Sequence, residues 1–263
     1  MTDLRVLMAA LRVSLSELPT TFTPLSWVTS WLIRSMFQVI FFALLGKFAS
    51  SDAQAHYILL GNIVAVIALE VMMINTTAAL DWYQGTLPFL VSAPANVGAI
   101  YLGRGLQWVV TGAVSSNLIF IITSFVFPVP WAWWQLLPMT PLLLLIGFGT
   151  YCYGCMTAAV AFRNPKYRGF FTNLGFLILA VCCGINVPVS AFPTPVEWLA
   201  QVLPLTHGLE AIRAIIDGDG AATVTAQILL ELVVAAGWLV LTRLSFQPLA
   251  ARGRRDGSLS FTS

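Results

Sequence analysis

Six stretches of the sequence are apolar for about 20 residues or more, and this feature limits the possible folds more than any other. A helix rises about 1.5 Å per residue, so each stretch can cross the hydrocarbon core of a membrane. Strands of a membrane barrel would instead alternate apolar and polar residues. The six stretches are Leu25–Phe48, His56–Leu80, Gly105–Phe127, Leu136–Phe162, Phe170–Val189 and Val224–Phe246. The sequence therefore predicts an all-α, polytopic membrane protein with six transmembrane helices.

Composition excludes the soluble classes of protein. Of the 263 residues only 9% are charged and 58% are apolar, whereas about 25% of the residues in an average soluble domain are charged. The net charge of +2 is too small to suggest nucleic-acid binding. There is no internal repeat, low-complexity tract or linker. We therefore expect residues 1–263 to form a single transmembrane domain that binds membrane lipid and no nucleic acid.

Basic residues predict the orientation of the chain. Positively charged residues collect in the cytoplasmic loops of membrane proteins. With six spans, eleven of the 13 Lys and Arg residues fall on the side that carries both termini. These are Arg5, Arg12, Arg34, Arg104, Arg163, Lys166, Arg168, Arg243, Arg252, Arg254 and Arg255, and only Lys47 and Arg213 fall on the other side. Both termini are therefore predicted to be cytoplasmic, with residues 247–263 forming a basic tail.

The first 19 residues have the pattern of an amphipathic helix. Apolar residues recur at spacings of three and four and so form a stripe along one side of a helix, whereas most of the charged residues, Arg5, Arg12 and Glu17, lie off that stripe. Such a helix lies in the membrane interface. We expect an interfacial helix over residues 1–19 that ends at Pro19, because proline cannot continue the backbone hydrogen bonding.

Three charged residues lie well inside the predicted spans, away from the span ends that hold Lys47 and Arg243: Arg34, Glu70 and Glu231. A charge at the centre of a membrane costs about 2.5–3.5 kcal/mol, so each should face protein or water and have a partner. Arg34 and Glu70 fall at similar depths, which predicts an intramembrane ion pair. A polar contact that lines a substrate path is the alternative role for the same two residues.

The sequence offers no site for nucleotide hydrolysis. A phosphate-binding loop needs a glycine-rich turn followed by Lys and then Ser or Thr. Lys47 is followed by Phe48 and has Phe41 at the position of the first loop glycine, and the only other lysine, Lys166, follows a proline. We expect this chain to be no enzyme and to bind no ATP.

Four cysteines and two histidines complete the set of reactive side chains. Cys152 and Cys155 form a C-x-x-C pattern, which raises the alternative of a membrane thiol oxidoreductase. The pattern lies inside a span with no basic residue nearby to activate a thiol, so packing is the favoured role of Cys152, Cys155, Cys182 and Cys183. No motif for a metal site is present, and we expect no cofactor bound by this chain.

Two connecting segments carry recognisable motifs. The loop after the second span reads Asp81-Trp82-Tyr83-Gln84-Gly85-Thr86-Leu87-Pro88-Phe89-Leu90-Val91-Ser92-Ala93-Pro94. The segment before the last span contains Leu203-Pro204-Leu205-Thr206-His207-Gly208-Leu209-Glu210-Ala211-Ile212-Arg213. Together, in this order and on opposite sides of the membrane, they resemble the two signatures of type-2 ABC exporter permeases.

This resemblance implies a function and its partners. The chain would be the permease subunit of an ATP-driven exporter in the bacterial cytoplasmic membrane, moving an amphipathic small molecule, antibiotic, natural product or lipid outward. A polysaccharide or teichoic-acid exporter is the alternative within the family. Two copies of an ABC-type ATPase subunit, which hold ATP and Mg, and a second permease copy or related chain would complete the transporter.

The resemblance also implies roles for particular segments and residues. Residues 81–104 would be the cytoplasmic coupling loop, which contacts the ATPase through Asp81, Gln84, Gly85, Thr86, Leu87, Phe89 and Leu90. The second and fifth spans would line a substrate path with Asn62, Glu70, Met73, Asn173, Phe176 and Asn186. Residues 190–222 would form an extracellular re-entrant hairpin that includes Pro204, Thr206, Glu210 and Arg213.

Overall fold

The computed structural model describes residues 3–21, 23–49, 51–77, 85, 97–129, 131–161 and 167–256. Within these ranges the chain is helical and contains no strand. The ten principal helices are α1 Asp3–Thr21, α2 Ile33–Ala49, α3 Asp52–Val71, α4 Val97–Arg104, α5 Leu106–Val126, α6 Leu136–Ala161, α7 Arg168–Cys182, α8 Thr194–Val202, α9 Thr206–Asp217 and α10 Ala221–Asp256. The predicted all-α class is confirmed.

Five helical segments of the described chain are long and apolar enough to cross a membrane. They are Leu25–Phe48, Asp52–Thr77, Leu102–Val126, Trp133–Ala159 and Ala221–Ser245. They overlap α2, α3, α5, α6 and α10 respectively, and each overlaps a stretch predicted from the sequence. The protein is therefore a multi-pass membrane protein.

The predicted fifth stretch, Phe170–Val189, is wrong in its extent. Its helix, α7, has 15 residues and ends at Cys182, so it rises only about 22 Å. Gly184 then takes a left-handed conformation with φ 77°, which favours glycine and interrupts the helix. Residues 183–188 are non-helical, and we call them the outer strap because the sequence predicts that they lie towards the extracellular side.

Helix α3 forms the centre of the bundle. From Leu59 to Val71 nearly every side chain is buried, and the helix packs against α2, α5 and α6. Glycines on two neighbouring helices make room for Ile67: a Cβ atom at Gly112 would lie 2.9 Å from its Cγ1, and one at Gly147 would lie 2.6 Å from its Cδ1. Small residues let membrane helices approach closely, and close approach is what stabilises them in lipid.

The two ends of the chain extend beyond the predicted elements. α1 runs to Thr21, two residues past the predicted stop at Pro19, and packs on α4, where the Ser14 hydroxyl donates to the Arg104 carbonyl. α10 continues to Asp256, ten residues beyond the predicted end at Phe246. The interfacial position of α1 and the cytoplasmic termini remain predictions.

Candidate functional site

The structure does not form the predicted pair between Arg34 and Glu70. Arg34 is exposed, and its guanidinium carbon lies 5.4 Å from the centroid of the Trp31 ring. Glu70 is only 2% exposed and lies beside the hydroxyl groups of Thr111 and Ser115 on α5. The prediction fails because the two side chains leave different sides of the α2–α3 hairpin, although they lie at similar depths.

Two other predicted path residues do meet. The Asn62 side chain donates to Asn186 Oδ1 at 2.8 Å, which joins α3 to the outer strap. Asn62 also donates to the carbonyl of Ile58 in its own helix at 2.9 Å, and it is buried. Beside it, a Cβ atom at Gly61 would lie 2.1 Å from the carbonyl oxygen of Ile185. The strap is therefore pressed directly onto the backbone of α3.

The remaining predicted path residues lie nearer the other end of α3 and α7. Met73 and Phe176 are half-buried against the core, and Asn173 is exposed and donates to the carbonyl of Gly169 in its own helix at 2.9 Å. About 11 residues of helix, or about 17 Å, separate Met73 from Asn62. Of the nominated residues, Asn62 and Asn186 therefore meet, whereas Glu70 faces α5.

Helices α8 and α9 form a hairpin within residues 190–222, and its extracellular, re-entrant position remains a prediction. The turn of the hairpin depends on Glu231, a role that sequence reasoning missed. The Glu231 carboxylate accepts from the backbone N–H of Leu205 at 3.1 Å and from that of Gly208 at 2.9 Å. Leu205 has φ 98°, which is unusual for any residue except glycine. Because the first N–H groups of a helix have no partner within it, Glu231 caps α9 from another helix.

Further contacts fix the hairpin to α10. The two ring nitrogens of His207 lie 2.9 Å from Gln227 Oε1 and 3.1 Å from the Gln201 carbonyl, which joins α9 to both α10 and α8. The Trp238 indole donates to the Val202 carbonyl at 2.8 Å. Thr206 does not cap its own helix, because its hydroxyl donates to the Ala200 carbonyl at 2.7 Å.

Arg213 connects the hairpin to the strap. Its Nη2 donates to the carbonyl of Gly184 at 2.8 Å, and its guanidinium carbon lies 3.5 Å from the centroid of the Tyr57 ring. Glu210 Oε1 lies 3.4 Å from Nη1. Burial lowers the pKa of Arg213, whereas Tyr57 and Glu210 act in the opposite direction, and the group stays cationic. Three elements therefore meet at one buried charge.

Most of the predicted coupling loop lies outside the described residues. This holds for Asp81, Gln84, Thr86, Leu87, Phe89 and Leu90. Gly85 is described: it is a half-buried turn residue with φ 69°, a conformation that glycine adopts without strain. The role of the loop remains a prediction.

The cysteines pack within the bundle. Cys152, Cys155 and Cys183 are buried, Cys182 is partly buried, and all four are free thiols. Reactive thiols are accessible and lie in an electropositive environment. The described part of the chain also contains no group of three or more His, Cys, Asp or Glu residues arranged to hold a metal ion. The geometry thus gives no support to thiol chemistry.

The described helices define a multi-pass helical membrane protein. The family model of the ABC-2 type transporter matches residues 18–216, from the end of α1 to the end of α9. The chain belongs to this family and is its membrane-spanning component. A comparison with curated proteins finds no match.

Proposed function

We propose that the chain is the permease subunit of an ATP-driven exporter, which moves an amphipathic small molecule, antibiotic, natural product or lipid outward across the bacterial cytoplasmic membrane. The observation that carries this proposal is the family match over residues 18–216. The contact between Asn62 and Asn186 supports it, because it places two polar side chains where α3 meets the outer strap. A separate ATPase subunit with bound ATP and Mg supplies the energy.

Two permease copies, or one copy and a related chain, surround the path. One side of α7 is open in the single chain, since Phe170, Leu177 and Val181 are each about half exposed. Asn173 lies on the same helix and is also exposed. A second chain would cover this side and place polar and apolar groups around a common cavity, which suits an amphipathic substrate. Glu70 faces α5 and has no part in this path.

Coupling to the ATPase occurs at the cytoplasmic loop. Residues 81–104 end in α4, which packs on α1, and a Cβ atom at Gly103 would lie 2.5 Å from the Leu7 carbonyl oxygen. Such close backbone contact lets α1 and α4 move together. Movement of the loop is then passed to α5, which begins at Leu106, as a rigid-body displacement that alternates access between the two sides.

The test is co-expression with the phosphate-loop ATPase encoded beside this chain, followed by purification in mild detergent. We expect a stable complex whose ATPase activity in lipid vesicles is stimulated by amphipathic compounds. The double variant Gly85→Pro, Leu87→Asp should lose assembly or stimulation. The control Gly220→Asp introduces the same charge at an exposed position just before α10, outside the membrane-spanning segments, and should retain both.

Two outcomes would overturn the proposal. One is that no ATPase associates with the wild-type chain, and the other is that the loop variant behaves like the control. Stimulation by lipid-linked polysaccharide, with none by amphipathic small molecules, would replace the proposed substrate class with that of the polysaccharide exporters and leave the coupling role intact.

A further inference from the structure

The outer strap is held from two sides by hydrogen bonds to a single carbonyl. Gly184 O accepts from the Tyr57 hydroxyl at 2.9 Å and from Arg213 Nη2 at 2.8 Å. The next polar contact along the strap is that of Asn186 with Asn62. The helix that precedes the strap, α7, has an open side. These polar contacts, together with the close packing of Ile185 on Gly61, therefore determine where the outer end of α7 lies.

The hairpin side of this contact is firmly attached. Glu231 is fully buried and binds two backbone N–H groups at the start of α9. A Cβ atom at Gly208 would lie 2.2 Å from Ile146 Cγ1, so α9 also packs tightly on α6. Arg213 therefore lies on a firmly attached element, so any displacement at this contact would be that of the strap.

The guanidinium of Arg213 has further partners when its bond to the strap breaks. It lies over the Tyr57 ring and next to the carboxylate of Glu210, so its charge remains compensated without Gly184. A buried cation that lost its sole partner would be costly. Releasing the strap avoids that cost at Arg213, which loses only its hydrogen bond to Gly184.

We propose that Arg213 is a positioning residue that holds the outer strap against α3 and so keeps the outer end of the path closed between transport events. Release of Gly184 allows the end of α7 to move away from α3 while α9 stays attached to α10. The Asn62–Asn186 contact then opens. This inference rests on the proposed function, because it names the residue that keeps the proposed substrate path closed.

Cys183 provides the measurement. It is 1% exposed, and its thiol lies 3.7 Å from the Pro204 carbonyl oxygen, at the junction of the strap and the hairpin. In a chain with Cys152, Cys155 and Cys182 replaced by alanine, a negatively charged, membrane-impermeant thiosulfonate added to intact cells should label Cys183 slowly. Because charged hydrogen bonds are among the stronger ones, Arg213→Ala should raise the labelling rate at least about tenfold.

Conservative variants separate positioning from folding. Arg213→Lys keeps the charge but lacks the planar fork that binds Gly184 and stacks on Tyr57, so we expect an intermediate labelling rate. Tyr57→Phe removes only the second hydrogen bond to Gly184 and should also label faster than wild type. The control Lys47→Ala removes an exposed cation predicted to lie on the same side of the membrane and should leave the rate unchanged.

Labelling of Arg213→Ala at the wild-type rate, in protein that elutes as a single species on size exclusion, would overturn the inference. If Arg213→Ala does not fold, unchanged labelling of both Arg213→Lys and Tyr57→Phe would overturn it instead. Labelling needs neither ATP nor substrate. Failure of the proposed function would therefore show as a missing ATPase complex, whereas failure of this inference would show as unchanged labelling.

Discussion

Replacing Glu231 with alanine should leave two buried backbone N–H groups, those of Leu205 and Gly208, without an acceptor. An unsatisfied buried donor costs about 1–3 kcal/mol, so the two together should lower stability by about 2–6 kcal/mol. Removing a buried carboxylate also removes its desolvation cost, which favours the lower half of that range. Glu231→Gln keeps the shape and one acceptor oxygen, so it should lose about 1–3 kcal/mol, the cost of one donor.

Thermal inactivation in detergent measures this effect. We expect the half-life of monodisperse protein at a fixed temperature to fall in the order wild type, Glu231→Gln, Glu231→Ala, and we expect protease cleavage in the α8–α9 turn to increase in the same order. The matched control is Leu230→Ala, which truncates an exposed neighbour on the same helix. If Glu231→Ala has the same half-life as this control, the two N–H groups have another acceptor and the capping argument is refuted.

Three further predictions concern close packing and the thiols. Gly61→Ala places a Cβ atom 2.1 Å from the strap backbone and should reduce transport and stability. The control Gly237→Ala, whose Cβ atom would have nothing within 4 Å, should affect neither. Equal melting temperatures of the two variants would contradict this prediction. In Gly103→Ala the new Cβ atom would lie 2.5 Å from the Leu7 carbonyl oxygen, so α1 must move away from α4. This variant should weaken substrate-stimulated ATPase activity without preventing membrane insertion. Replacing Cys152 and Cys155 with alanine should leave transport measurable in vesicles, and a complete loss would revive the thiol hypothesis.

Hydropathy was sufficient to predict the five long spans but not the end of α7. Apolar residues continue through the outer strap, with Cys183, Ile185 and Val187, so the sequence pattern predicts that the helix continues. The backbone leaves the helix because Gly184 turns and its carbonyl accepts from residues of two distant segments. Contacts between residues more than 120 positions apart, such as Tyr57 and Gly184, have no local signal in one sequence.

For the candidate site, the sequence predicted how deep each residue lies in the membrane but not the direction in which its side chain points. Counting along spans placed Arg34 and Glu70 at similar depths, but it did not say which way each side chain points. From Leu59 to Val71, helix α3 is buried on nearly all sides, so this part has no polar stripe from which its rotation could be deduced. Glu231 had a usable signal, since a lone carboxylate in an apolar helix requires a partner, but that partner proved to be backbone in the hairpin.

The shortness of α7 has a consequence for how the protein is made. At about 22 Å it does not span the roughly 30 Å hydrocarbon core, and the strap that follows it leaves backbone groups that lipid cannot satisfy. One of those groups, the Gly184 carbonyl, is satisfied by Tyr57, which is synthesised earlier, and by Arg213, which is synthesised later. We therefore expect α7 to remain beside the insertion machinery until α9 has been made. The order of synthesis would then make the hairpin the last element needed before this helix can enter lipid.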